Sequence, residues 1–215
     1  MKILYSDDQI VIVNKPYGVS SQDGKGQSLT EMLREALGGE IYPVHRLDTQ
    51  TTGLIVYART KESAGFLSKE IQEKRVSKKY LCICHGEIEG EGTMVDYLFH
   101  DKLKNKSFVV DSKRRGSKEA VLDFRVLEKE KELSLLEIHL KTGRTHQIRV
   151  QLSSRKSPLY GDGKYGAKDN DKIHLHSYYL SLTHPKTGKK MELYSRPEDG
   201  AWESFDFVKK WETCR

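Results

Sequence analysis

Between residues 120 and 140 the chain carries two apolar segments, Ala120 to Leu127 and Leu133 to Leu140, separated by the charged run Glu128 to Glu132. In the second segment Leu136, Ile138 and Leu140 alternate with Glu137, His139 and Lys141. A period of two gives a strand one buried and one wet face. Two such strands joined by a charged turn predict an antiparallel hairpin. A half-solvated hairpin of this kind argues against an all-parallel sheet, whose strands are buried on both faces.

The rest of the chain interleaves strands with short helices. Gln9 to Pro16 is β-branched and ends at a proline that cannot donate to a ladder, so it predicts a strand running into a loop that lasts to Gly26. Ser28 and Glu31 form a Ser-x-x-Glu capping box, and Leu29, Met32, Leu33, Ala36 and Leu37 follow at helical spacing until Gly38-Gly39. Leu54 to Ala58 predicts a second strand, and Thr60 caps a helix carrying Ala64, Leu67 and Ile71. Tyr80 to Cys84 and Ser107 to Val110 read as extended, residues 145 to 153 as a helix, and residues 173 to 195 as another hairpin. Trp202, Phe205, Val208 and Trp211 predict a terminal helix packed on the core. Regular strand-helix alternation is missing. The expectation is therefore a single α+β domain over 1–215, with a mostly antiparallel mixed sheet flanked by helices and no separate N-terminal binding domain.

Charge narrows the function. The formal net charge is +6, which favours a polyanionic partner because neutralised phosphates release counterions. Cys82, Cys84 and Cys214 are odd in number and lack a Cys-x-x-Cys pair, so they predict neither a disulfide framework nor a zinc ribbon and suit a reducing cytoplasm. The start, Met1-Lys-Ile-Leu-Tyr-Ser-Asp-Asp, has no charged leader before an apolar run, and no stretch has the length and apolarity of a membrane span.

Three segments hold polar residues that a purely structural chain does not need. The first is Tyr42-Pro-Val-His-Arg-Leu-Asp-Thr-Gln-Thr-Thr-Gly-Leu-Ile-Val-Tyr57, where Arg46 and Asp48 flank Leu47 just before a strand. Taken alone, Asp48 fits a turn residue and Arg46 a surface ion pair. The second is Lys78-Lys79-Tyr80-Leu81, which offers phosphate contacts and a stacking face, or simply a charged strand edge. The third is Lys141-Thr-Gly-Arg-Thr-His-Gln-Ile-Arg-Val150, where Gly143 permits a tight turn into a helix bearing Arg149.

Together these segments resemble the RluA family of pseudouridine synthases. His45-Arg46-Leu47-Asp48 followed by Thr51-Thr52-Gly53-Leu54 is similar to the family's catalytic motif, Lys79-Tyr80-Leu81 to its second, and Thr142-Gly-Arg-Thr-His-Gln-Ile-Arg149 to its third. Val13-Asn-Lys-Pro16 and Leu159-Tyr-Gly-Asp-Gly-Lys-Tyr-Gly166 also match. The departures are Thr52, where serine is usual, and Cys82, where a small alanine is common. The resemblance implies the pseudouridine synthase fold with a catalytic cleft across the sheet. It implies a cytoplasmic isomerase that acts on uridines in rRNA or tRNA as a monomer, without cofactor or metal.

The same resemblance assigns roles. Asp48 is the nucleophile. Tyr80 stacks on the flipped uracil, and its hydroxyl is a candidate for the proton at C5. Arg149, or else Arg144, keeps Asp48 ionised. Arg46 fills the gap left by the flipped nucleotide. His45, Arg144, Lys79 and Lys15 are expected along the RNA. Two rival readings stand beside this one. In a metal-dependent nuclease, His174, His176, His139 and His146 would supply ligands. An RNA-binding assembly factor would need no carboxylate, which repels phosphate in a basic cleft.

Overall fold

The computed structural model describes residues 1–211 apart from Lys25, Glu87 and Asp199. In chain order the elements begin with β1 (Lys2–Ser6), β2 (Ile10–Lys15), α1 (Leu29–Leu37), β3 (Tyr42–Pro43), β4 (Thr52–Ala58) and α2 (Lys61–Gln72). They continue with β5 (Ser77–His85), β6 (Glu91–Asp101), β7 (Lys106–Val110), β8 (Ser117–Glu130), β9 (Leu133–Leu140) and α3 (Gln147–Ser153). After a 3₁₀ turn at Gly163–Tyr165 come β10 (Leu175–Thr183), β11 (Lys190–Tyr194), a second 3₁₀ turn at Gly200–Ser204 and α4 (Asp206–Lys209). The pairing is mixed and mostly antiparallel, so the fold is α+β as the sequence predicts. None of the described helices is long and apolar enough to cross a membrane. Cys214 lies outside the described residues; Cys82 and Cys84 are buried, free thiols whose pKa burial pushes up.

The backbone divides into two compact units. The first comprises Met1–Lys78 and His176–Pro197, the second Lys79–Leu175 and Glu198–Arg215. In the first, β2 lies between β1 and β4, both antiparallel to it, and the far side of β4 meets β10 in parallel. The sequences Ile-Val-Ile-Val and Leu-Ile-Val-Tyr are apolar at every position because β2 and β4 are buried on both faces. Ile10, Ile12, Leu54, Val56, Leu180 and Leu182 form one apolar cluster, against which α2 lays Leu67. Burying each such side chain stabilises the fold by roughly 1.5–3 kcal/mol. The Ser28 capping box on α1 has both its halves, Ser28 N–H to Glu31 Oε2 at 2.9 Å and Glu31 N–H to Ser28 Oγ at 3.2 Å. Thr60 Oγ1 likewise accepts the Ser63 N–H at 3.1 Å to start α2.

The second unit is an antiparallel run in the order β5-β9-β8-β6-β7, with α3 packed against β6 and β7. The predicted hairpin at 120–140 is its β8–β9 pair, extended to Ser117 and Glu130. A bulge between Val126 and Glu128 interrupts the register of β8. The Glu128 carboxylate accepts the N–H groups of Asp206 and Phe207 at 2.9 and 2.8 Å, capping α4 from another strand.

Three strands escape the sequence reading, one of them the two-residue β3. β1 is short and half-exposed, and β6 mixes apolar and polar residues without clean alternation. The terminal helix is also different: residues 200–209 form a 3₁₀ turn and one helical turn, broken at Phe205, whose backbone is extended. The spacing of Trp202, Phe205, Val208 and Trp211 is three, which suits the 3₁₀ period at least as well as the α period, and all four side chains are buried nonetheless.

Gly53 fixes the geometry at the start of β4. Its φ is +105°, and a Cβ there would stand 2.3 Å from the Ser177 carbonyl oxygen on β10. Only glycine tolerates both conditions. Gly53→Ala is expected to cost about 2–4 kcal/mol, the range of a strained backbone position with a steric conflict, read as a lower urea midpoint. An unchanged midpoint would show that β4 and β10 can separate freely.

Candidate active site

In the first unit the segment from His45 to Thr51 is a loop pinned from several sides. Leu47 is buried, and its N–H and C=O both meet Ser21 Oγ, at 3.3 and 2.9 Å. Ser21 is held in turn by the Tyr57 hydroxyl, which donates to its carbonyl at 2.7 Å. On the other side of Asp48, the Thr49 carbonyl accepts the Gly18 N–H at 2.9 Å and the Lys15 ammonium at 3.0 Å. The Thr51 N–H closes on the Asp48 carbonyl at 2.9 Å. Asp48 is thus a half-buried carboxylate on a turn anchored at both neighbours, and Arg46 beside it is exposed.

Lys15 is fully buried. Its ammonium also donates to the Pro16 carbonyl at 2.8 Å. Burial pulls its pKa down to about 8, and the negative charge of Asp48 opposes that shift. His45 Nε2 accepts the Val56 N–H at 3.2 Å, so in the neutral ring the proton sits on Nδ1. Burial and the nearby Lys78 keep this ring well below its ordinary pKa, hence neutral. The resemblance expects Lys15 and His45 along the RNA; in the structure Lys15 donates to the Pro16 and Thr49 carbonyls and His45 accepts from the backbone of β4.

Thr52, the departure from the usual serine, donates to His176 Nδ1 at 2.7 Å, and His176 Nε2–H donates to the Ser195 carbonyl at 3.1 Å. That carbonyl can only accept, which sets the tautomer. Burial lowers the His176 pKa to about 4. His174 Nε2 accepts the Ala201 N–H at 3.1 Å, so its Nδ1–H donates to the Lys172 carbonyl at 2.8 Å. The histidines of the metal reading are therefore engaged with hydrogen bonds, and among the described residues no three metal-ligating side chains cluster.

In the second unit Tyr80 is a buried residue of β5, opposite Ile138, and its neighbour Lys79 pairs with Glu137 at 3.3 Å. The third segment turns through Thr142 to His146. Gln147 Oε1 braces that turn by accepting from Thr142 Oγ1 at 2.8 Å and from the Arg144 N–H at 3.0 Å. His146 takes the left-handed conformation, φ 56°, so α3 starts at Gln147. Arg144 is half-buried and directs Nε to the Glu119 carbonyl at 2.8 Å.

Arg149 is buried on α3 and clamped by Asp162 in two parallel bonds, Nε to Oδ2 at 2.6 Å and Nη2 to Oδ1 at 2.8 Å. The Tyr165 ring lies under its guanidinium, with the centroid 5.1 Å away. The Tyr165 hydroxyl accepts the Ser107 N–H at 2.8 Å and faces His146 Nδ1 at 3.0 Å. A bidentate, fully desolvated pair fixes a guanidinium far better than a surface contact does.

The family model described as RNA pseudouridylate synthase matches residues 9–154, from β2 to the end of α3. The chain belongs to the RNA pseudouridylate synthase family. It is 37% identical over 208 residues to a ribosomal large subunit pseudouridine synthase D of Nitrosomonas europaea, covering 88% of this chain and 60% of that protein. A tRNA pseudouridine synthase C of Haemophilus ducreyi is 31% identical over 222 residues, 90% of this chain and 89% of that protein. Among solved structures, human RNA pseudouridylate synthase domain containing 1 superposes with a TM-score of 0.77 at 27% identity, covering 92% of this chain and 83% of that one.

Within this RNA pseudouridylate synthase family member, the matched span holds Asp48, Tyr80 and Arg149, while Asp162, Tyr165 and His176 lie beyond it. Sequence reasoning gave Asp162 and Tyr165 no role and weighed His176 only as a metal ligand. Asp162 and Tyr165 stand inside the Leu159–Gly166 segment quoted above, yet nothing local links them to an arginine in another element.

Two measurements follow from this geometry. Asp162→Asn leaves Arg149 buried without its counter-charge and is expected to destabilise the protein by about 3–5 kcal/mol in urea unfolding. For His176 the folded pKa, about 4, is below the ordinary value of 6.5. Stability tied to its neutral ring is therefore complete above pH 6.5 and is lost as pH falls towards 4, a loss of about 3 kcal/mol. Replacing His176 with asparagine should flatten that part of the pH profile, and an unaltered slope would assign the acid loss to other groups.

Proposed function

We propose that this protein isomerises uridine to pseudouridine in RNA, with Asp48 as the nucleophile. The observation that supports this most is the Asp48 turn itself, whose neighbouring Leu47 and Thr49 carbonyls are held by Ser21 and Lys15, with the carboxylate in the field of a buried ammonium. A structural turn residue does not need a lysine buried beside it at a cost in desolvation. Ionised Asp48 is suited to attack, or to stabilise positive charge at, the ribose carbon as the glycosidic bond breaks. The freed uracil turns, its C5 bonds to the same ribose carbon, the C5 proton is lost to a base, and N1, which has left the ribose, takes up a proton. One carbon–nitrogen bond is exchanged for one carbon–carbon bond with no change in oxidation state.

The target nucleotide has to leave its stack for a carboxylate to reach the ribose, at a cost of roughly a few kcal/mol. Exposed Arg46, two residues before Asp48, is the side chain we assign to the vacated place. Tyr80 is assigned as the stacking face and the candidate acceptor of the C5 proton. Arg149, fixed by Asp162, is assigned as a cation of the reaction and Arg144 as a phosphate contact. Lys79, held near Glu137, adds positive charge at the same strand. The RNA is rRNA or tRNA, the substrates that appear in the names of the relatives.

Asp48→Asn tests the assignment. Carbodiimide labelling of RNA treated with the variant is expected to show no pseudouridine, while RNA affinity stays within a few fold. Normal turnover by Asp48→Asn would overturn the nucleophile.

A further inference from the structure

Most of the net positive charge of this chain falls in one stretch. Residues 101–118 contain seven lysines and arginines against two aspartates, a net of +5 within a chain whose total is +6. The structure gathers them at one end of the second unit's sheet. The β6–β7 turn occupies 102–105, closed by the Asp101–Lys106 pair. The β7–β8 connection, 111–116, returns to the same place: Phe99 of β6 is flanked by Phe108 on β7 and Ser117 on β8, and the Arg114 guanidinium lies 4.9 Å from the Phe99 ring centroid.

Lys102, Lys104, Lys113, Arg115 and Lys118 are exposed, and among the described residues none of them is in an ion pair. Elsewhere in the same unit Lys79, Arg125, Lys129, Lys141, Arg149 and Arg155 each face a carboxylate, while Lys131, Lys156, Lys164 and Lys168 are, among the described residues, outside ion pairs without forming a comparable run in sequence. The Asp101 carboxylate is spent inside the turn, accepting the N–H groups of Leu103 and Lys104 at 3.0 and 3.1 Å. Lysines commonly guard an edge strand against pairing with other chains. That purpose does not account for the cluster, because β7 itself carries only Lys106 and the excess sits in the two turns.

We infer that this basic end docks the phosphate backbone of the RNA substrate, apart from the motif residues that act on the uridine. The inference rests on the reading of RNA as substrate. The turn region joins the third motif directly, since Ser107 Oγ donates to the Thr145 carbonyl at 2.6 Å and Arg144 Nε to the Glu119 carbonyl at 2.8 Å. A backbone bound along the turns therefore continues onto Arg144. Unpaired cations suit this task, since each phosphate they neutralise releases counterions and steepens the salt dependence of binding.

The test replaces Lys102, Lys104, Lys113 and Arg115 together by glutamine and measures binding to purified total tRNA and to large-subunit rRNA across a salt series. Expected are an affinity loss of about tenfold or more at 0.1 M salt and a binding slope in log salt shallower by two or more, at an unchanged melting midpoint. A control carrying Lys186→Gln and Lys190→Gln, both ion-paired in the first unit, should bind within about twofold of the parent. Unchanged affinity and slope in the fourfold variant would overturn the docking surface, as would tighter binding of the parent to phosphatidylserine vesicles than to either RNA. If the parent forms no pseudouridine in carbodiimide mapping yet the variant still loses RNA, the isomerase reading falls and the docking surface stands.

Discussion

A side chain cannot be placed at residue 53, and the arrangement of the first unit follows from that. On one edge of β4, Gly53 stands opposite Lys15 of β2; on the other it stands opposite Ser177 of β10. Because the backbones approach so closely, Thr52 reaches His176 and the parallel pairing is set at these positions. The register with β2 brings Lys15 to the foot of the loop that carries Asp48, where its ammonium meets the Thr49 carbonyl. A slip of one residue would turn each of these side chains to the opposite face. The nucleophile proposed here, the cation beside it and the histidine below are therefore positioned by one glycine.

The second unit solves a different problem, that of holding an arginine without water. Removing a guanidinium and a carboxylate from solvent is costly, and attraction compensates only with good geometry and further bonds. Arg149 and Asp162 meet that condition with two short bonds, the Tyr165 ring under the guanidinium and a tyrosine hydroxyl that is itself engaged by Ser107 and His146. Such a pair adds little net stability. It does restrict Arg149 to one orientation. The left-handed His146 and the Gln147 brace belong to the same solution, since they begin α3 where Arg149 falls on its inner face.

Charge is divided between these two regimes. Buried cations, Lys15 and Arg149, are few and individually compensated, and they shape local chemistry. The exposed cations at 101–118 are many and uncompensated, and they act at longer range through screened fields. Burial fixes direction; exposure keeps a surface tolerant of sequence, as suits a partner whose backbone is uniform.

Much of this was legible in the residues. Period-two apolar patterns located β8 and β9, the Ser28–Glu31 box located α1, and Thr60 located α2, because strand faces and helix caps are local physics. The carboxylate proposed as the nucleophile, Asp48, was singled out by the resemblance of its motif to a known family, since local physics alone makes it a turn residue. The sequence could not place Lys15 underground, pair Arg149 with Asp162 or set His176 on Thr52, since each joins positions far apart in the chain and depends on strand register and on which groups lose water. Nor did the Trp202–Trp211 spacing tell a 3₁₀ turn from an α-helix. The sequence by itself determined most of the elements and the family motifs, which local periodicity and residue chemistry encode. Only the tertiary structure decided which charges are buried, and with them the partners and protonation of the residues around the site, because desolvation belongs to the packed chain and not to any stretch of it.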